Sequence, residues 1–176
     1  GKSHVCGLTD AGEVDCVTDA ITKRYDAPAD LPLMKALAAG QQHTCGLTLD
    51  AKAVCWGGID FYQEQQVPDI DQPLVSIAAG VNHTCAIDET NRAWCWGLDT
   101  NQQSQVPGDG YGEAGLGFVK VDANATTSCG IQLDGAISCW STNPQLSDTR
   151  SLSGTFIDLD LSDFSGCGLK DSGDIQ

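Results

Sequence analysis

Nine cysteines constrain this chain more than any other feature, because eight of them form four pairs of one fixed spacing. Cys6 and Cys16, Cys45 and Cys55, Cys85 and Cys95, and Cys129 and Cys139 are each separated by nine intervening residues. The leading members, Cys6, Cys45, Cys85, Cys129 and then Cys167, recur at intervals of 39, 40, 44 and 38 residues. Such a period marks a repeat array in which each unit buries its apolar face against the next. The same spacing puts the partner of Cys167 at position 177, beyond Gln176, so Cys167 is read as unpaired in this segment and the chain as a mature or excised piece.

Between paired cysteines, a hairpin with three residues per arm leaves a three-residue loop. Those loops are Asp10-Ala11-Gly12, Leu49-Asp50-Ala51, Glu89-Thr90-Asn91, Leu133-Asp134-Gly135 and Asp171-Ser172-Gly173. A loop of this length favours a type I turn followed by a left-handed residue, a place where Gly or Asn is least strained. Only Ala51 breaks the pattern. Opposite arms then carry the two sulfurs, which favours cross-strand disulfides within each repeat over pairing between repeats and leaves their register open.

Short apolar runs precede the leading cysteines at matching offsets, in Leu37-Ala38-Ala39-Gly40, Leu74 to Gly80, Phe118 to Val121 and Phe156 to Leu159. Bounded by Gly or Asn, they suit buried strands better than helices. After the second cysteine come Trp56-Gly57, Trp96-Gly97 and Trp140, then polar, Gln-rich links that close with Val67-Pro68 and Val106-Pro107 in the middle repeats. The first repeat has Val17 in place of Trp and a different linker, Tyr25 to Pro32; the fourth has Ser141 and Asn143-Pro144. The expected organisation is one all-β array over 1–176, with repeats near 1–32, 33–72, 73–116, 117–154 and an incomplete 155–176.

Composition narrows the partners. With 24 acidic against 9 basic residues the net charge is −15, which repels phosphate backbones and anionic lipid heads and argues against nucleic acid or a membrane surface. No run approaches the roughly eighteen apolar residues of a membrane helix. Nine cysteines, one Met and no CxxC pair fit an oxidising, extracellular setting.

The pattern Gly-x-x-His-Thr-Cys, a hairpin and then Cys-Trp-Gly, clearest over residues 36–107, resembles the regulator of chromosome condensation repeat family, in particular its cysteine-containing extracellular and bacterial branch. The resemblance implies a β-propeller of about seven four-stranded blades. Four and a half repeats fall short of that ring, which leaves a fragment, an open arc or a ring completed by neighbours. The family's chromatin-linked exchange role does not carry over, since the charge and paired cysteines suit another compartment. Another branch resembles secreted propellers that inhibit β-lactamases; nothing in this sequence names that target.

Residues that could carry chemistry have simpler readings. His4, His43 and His83 share a strand face with the following cysteine and read as hydrogen-bonded repeat histidines, not metal ligands; Thr127 and Ser165 hold that place later. Trp56, Trp96 and Trp140 read as packing between blades, while the unmatched Trp94, with Tyr111, is the candidate for surface recognition, including of a glycan. Asp158, Asp160 and Asp163, like Asp69 and Asp71, lack a calcium-loop pattern and read as a solvated edge. The stretch Pro107 to Gly117 lacks the Lys-Ser/Thr of a phosphate loop and reads as an extended surface loop. Asn82 and Asn124 head N-glycosylation sequons. No nucleophile, base and orienter recur together, so neither enzyme activity nor a cofactor is expected. The function read from the sequence is a non-enzymatic extracellular module that binds a protein through its loops, the alternatives being a structural subunit of a surface assembly and a lectin-like propeller.

Overall fold

In the computed structural model the chain is an all-β array, described here for residues 1, 4–17, 25–58, 60–112, 115, 117–142, 152–162 and 165–176. Blade 1 pairs β1 (Val5–Leu8) with β2 (Val14–Val17). Blade 2 orders β3 (Met34–Ala39), β4 (His43–Thr48) and β5 (Ala53–Gly57), and blade 3 orders β6 (Leu74–Ala79), β7 (His83–Asp88) and β8 (Ala93–Gly97). Blade 4 orders β9 (Phe118–Ala123), β10 (Ser128–Gln132) and β11 (Ile137–Trp140); blade 5 pairs β12 (Phe156–Leu161) with β13 (Gly166–Lys170). All pairings are antiparallel. The first strands β3, β6, β9 and β12 neighbour one another in chain order, and among the described residues the sheets succeed each other without closing a ring.

The family resemblance implied four strands per blade. Among the described residues the complete ladders have three, because the links that would supply a fourth carry Pro68, Pro107 and side-chain-capped turns in place of a strand's alternation. Each first strand also opens on a buried anchor, Met34, Leu74, Phe118 or Phe156, followed by a bulged and outward-facing Lys35, Val75, Val119 or Ile157. The extra residue re-aims the strand so that its later side chains meet the next blade.

Disulfides join Cys6 to Cys16, Cys45 to Cys55, Cys85 to Cys95 and Cys129 to Cys139, each between directly opposed residues with Cα atoms 4.0 to 4.1 Å apart. Cys167 is free and exposed on β13. The hairpin loops share one conformation. Gly12, Ala51, Asn91, Gly135 and Gly173 all take positive φ, at 85°, 62°, 67°, 81° and 88°. Ala51 therefore accepts the left-handed conformation without the relief that Gly brings.

Side-chain alternation explains why Cys and Trp are consecutive. On β8 and β11 the sulfur points to the following blade and the indole to the preceding one. Thus Cys45, Cys55, Leu47 and Trp96 share one core, Cys85, Cys95, Phe118 and Trp140 a second, and Cys129, Cys139, Ile131 and Phe156 a third. Each of these three disulfides is both a staple in its own hairpin and a wall of the next blade's core.

Candidate interaction surface

A buried polar column crosses the blade junctions. His4 Nε2 lies 2.6 Å from Thr44 Oγ1, His43 Nε2 2.8 Å from Thr84 Oγ1, and His83 Nε2 2.8 Å from Ser128 Oγ. Ser128 gives its proton to the Gln103 carbonyl at 2.8 Å, so His83 must donate through Nε2, and its Nδ1 is left as an unpartnered lone pair. Burial, reinforced by the preceding histidine, lowers His43 and His83 to about 4 each, and burial lowers His4 as well. The glycine three residues upstream exists for the ring: a Cβ on Gly40 or Gly80 would collide with the imidazole and with a backbone carbonyl of the next blade. These histidines join blades and are closed to solvent. Among the described residues no group of His, Cys, Asp and Glu could hold a metal ion.

The same junctions fix the links. After β5 and β8 the chain enters matched loops in which Asp60 Oδ1 accepts from Gln65 N and Asp99 Oδ1 from Ser104 N, both at 3.0 Å. The other carboxylate oxygen accepts from the Gln66 or Gln105 side-chain amide. Gln63 and Gln102 take the same positive φ, 60° and 58°. From the next blade, Trp96 Nε1 donates to the Glu64 carbonyl and Trp140 Nε1 to that of Gln103. Two copies of one frame therefore stand side by side, and they hold different tips. The first presents Phe61 and Tyr62, 71% and 46% exposed, with ring centroids 6.4 Å apart. The second has Thr100 and Asn101, whose carbonyl accepts from Thr142 N.

Trp94 and Tyr111, the recognition candidates of the sequence, come together at the opposite end of blade 3. Trp94 is half-buried: its Nε1 donates to Asp88 Oδ2 at 2.8 Å, and the Arg92 guanidinium lies 4.0 Å from its ring centre. Tyr111 Oη meets Thr90 Oγ1, which itself donates to Asp88. Burial works to raise the pKa of Asp88, but the donors Thr90, Trp94 and the Arg92 amide outweigh it and hold the carboxyl below its ordinary range. With Arg92 on its face and its N–H engaged, Trp94 is poorly placed as a sugar-stacking platform.

Of the two sequon asparagines Asn124 is the more enclosed. That residue is 4% exposed, its Nδ2 donates to the Ser162 carbonyl and its Oδ1 accepts from the Thr126 and Thr127 amides. Asn82 is only half-buried. Asp158 pairs with Lys120, which, through hydrogen bond and charge, lowers its pKa. Asp163 and Asn143-Pro144 lie outside the described residues.

The exposed aromatic pair carried no repeat signal, since Phe61 and Tyr62 occur in one link only. Aligning the two links on their Asp, Gln and Val-Pro positions would have isolated it.

The regulator of chromosome condensation (RCC1) repeat model matches residues 34–63 and 74–103, which are blades 2 and 3 with their first loops. Two of the chain's blades match RCC1 repeats. Its fold is that of the ectodomain of the Physcomitrella patens receptor kinase CR4, at 28% identity and a TM-score of 0.77, over 97% of this chain and 48% of that one. The CRINKLY WD40 ectodomain of the Arabidopsis thaliana receptor kinase ACR4 is 22% identical, with a TM-score of 0.75 over 98% of this chain and 63% of that one. Yeast RCC1 (Prp20), in a structure of Kap60 bound to it, is 18% identical, with a TM-score of 0.71 over 98% of this chain and 54% of the matched one. The chain thus spans about half to three fifths of these structures. No curated protein matches it. Among the described residues no helix is long and apolar enough to cross a membrane.

Proposed function

We propose that this RCC1-repeat segment is a non-enzymatic extracellular interaction module that binds a protein partner through its loops, with Phe61 and Tyr62 as the anchor. The observation that carries the reading is the pair of matched frames: one tip is engaged by the next blade, and the other holds two aromatic rings in solvent on a loop tied at both ends. Large aromatic side chains held rigidly at a surface lose little entropy on binding and dominate protein interfaces. Four disulfides and the receptor ectodomain likeness support the extracellular setting. Yeast RCC1, of the same fold, is seen bound to a protein.

The test presents the native, oxidised protein to extracellular protein fractions and to a glycan array. A saturable protein partner that is retained at raised salt supports the reading, because the contact is apolar. Binding to glycans alone would refute it.

A further inference from the structure

The links that leave blades 2 and 3 begin alike and end differently. Residues 68–73 lead straight to Leu74, whereas the longer, glycine-rich link after Val106 makes an excursion that begins with a 3-10 turn at Gly108–Gly110. Gly108, Asp109, Gly110 and Gly112 all have positive φ, which accounts for the glycines. The excursion folds back onto the outer strand of its own blade. A Cβ on Gly110 would lie 2.6 Å from Arg92 Cγ and 2.7 Å from the Ala93 carbonyl oxygen, so only glycine fits there. Tyr111 reaches Thr90, Gly117 packs on Asn91, and Ala93 is left 3% exposed.

Blade 2 offers the same floor without that cover. Lys52 and Ala53 stand where Arg92 and Ala93 stand, and with Val67, Asp69, Ile70 and Gln72 they border an open cleft of about 360 Å³. Ala53, Val67, Ile70 and Leu74 bring apolar side chains to its lining, and Lys52, Asp69 and Gln72 bring polar ones. That size lies within the range of built ligand sites. Among the described cations Lys52 is the one whose side chain has no partner: Lys35 donates to the Leu74 carbonyl, Arg92 covers Trp94, Lys120 pairs with Asp158 and Lys170 lies over Phe156. A free ammonium beside a cleft of mixed lining, on a chain of charge −15, is a local site of charge complementarity for an anionic group.

We propose that this cleft binds, in trans, an acidic glycine-bearing turn of a partner polypeptide, seated over Ala53 with its carboxylate toward Lys52. The molecule displays the occupant itself, since the Gly-Asp-Gly-Tyr turn of residues 108–111 fills the equivalent place in blade 3. Asp69, across the rim, repels an acid on its own side and so sets the direction in which the turn enters. The cleft lies at the hairpin-loop end of blade 2, away from Phe61 and Tyr62, so its occupant makes a contact separate from the anchor.

The probe is a peptide with the sequence of residues 107–117, titrated into isotope-labelled protein and followed by two-dimensional NMR. Saturable shifts at Lys52, Ala53 and Ile70, absent at Phe61 and Tyr62, are expected with the peptide at about 1 mM or below. Lys52→Glu, an exposed change that leaves packing alone, should weaken the peptide about tenfold, as should Asn in place of the peptide's Asp. Ala53→Trp, which fills the floor, should abolish the shifts. No shift at these residues, or equal affinity with Lys52→Glu, would overturn the proposal. So would shifts at the cleft that depend on protein concentration alone, which would assign the site to a second copy. None of these outcomes bears on the Phe61–Tyr62 anchor, which the peptide does not touch.

Discussion

The links of blades 2 and 3 are built on the same hydrogen bonds and are used differently. Both are closed by an aspartate, both carry a left-handed glutamine, and both are pinned by the indole of the next blade. One spends its tip on the neighbouring blade and covers its own outer strand; the other leaves two aromatic rings and an open cleft in solvent. The lesson is that the frame belongs to the fold, whereas specificity resides in the residues the frame holds without needing them. Substituting frame residues should therefore cost stability, and substituting tip residues should cost binding.

The largest effect should come from the pins. Trp96→Ala removes a buried indole packed against the Cys45–Cys55 disulfide and should cost about 3–5 kcal/mol, read by denaturant unfolding under oxidising conditions. It should also loosen the Phe61–Tyr62 loop and weaken partner binding. Trp140→Ala should cost as much and leave binding unchanged, since it pins the other link.

Acid should act on both junctions alike. Above about pH 6.5 the histidines are neutral in both states. Between 6.5 and about 4 only the unfolded chain takes their protons, so stability falls as pH falls through that window. His43 and His83 should each contribute a loss on the order of 3 kcal/mol by pH 4. Unfolding midpoints at pH 7 and pH 5 should show it, and His83→Gln should flatten the slope.

How much of this was legible in the sequence follows from periodicity. The hairpins were, because a strand pair with a three-residue loop must oppose residues ten apart, and five loops ended on Gly, Asn or, at Ala51, a residue forced to behave like them. The histidines announced themselves as structural by recurring. Phe61 and Tyr62 did not recur, and an argument from repeats overlooks whatever a single copy adds. The three-strand ladders were hidden because the family pattern lies in the hairpins and leaves the links unspecified. The structural engagement of Asn124 was hidden too, since its amide donates to Ser162, 38 residues away.

Smaller effects sharpen the comparison. Asp60→Ala and Asp99→Ala each remove the carboxylate that closes a link and should cost about 1 kcal/mol apiece, but only Asp60→Ala should lower partner affinity. Ala51→Gly should stabilise by about 1 kcal/mol, because Ala51 has φ of 62°. Asn91→Gly at the matched turn should gain less, since Asn tolerates that conformation, although its side chain also donates to the Phe118 carbonyl.

The central claim is that shared frames carry different tips and that one tip binds. Its most direct test exchanges the tips. Phe61→Thr with Tyr62→Asn gives the first link the tip of the second, and calorimetry against the captured partner compares the affinities. The account predicts a loss of at least about tenfold, with unfolding free energy changed by less than about 0.5 kcal/mol. Unchanged affinity in a folded variant would contradict it.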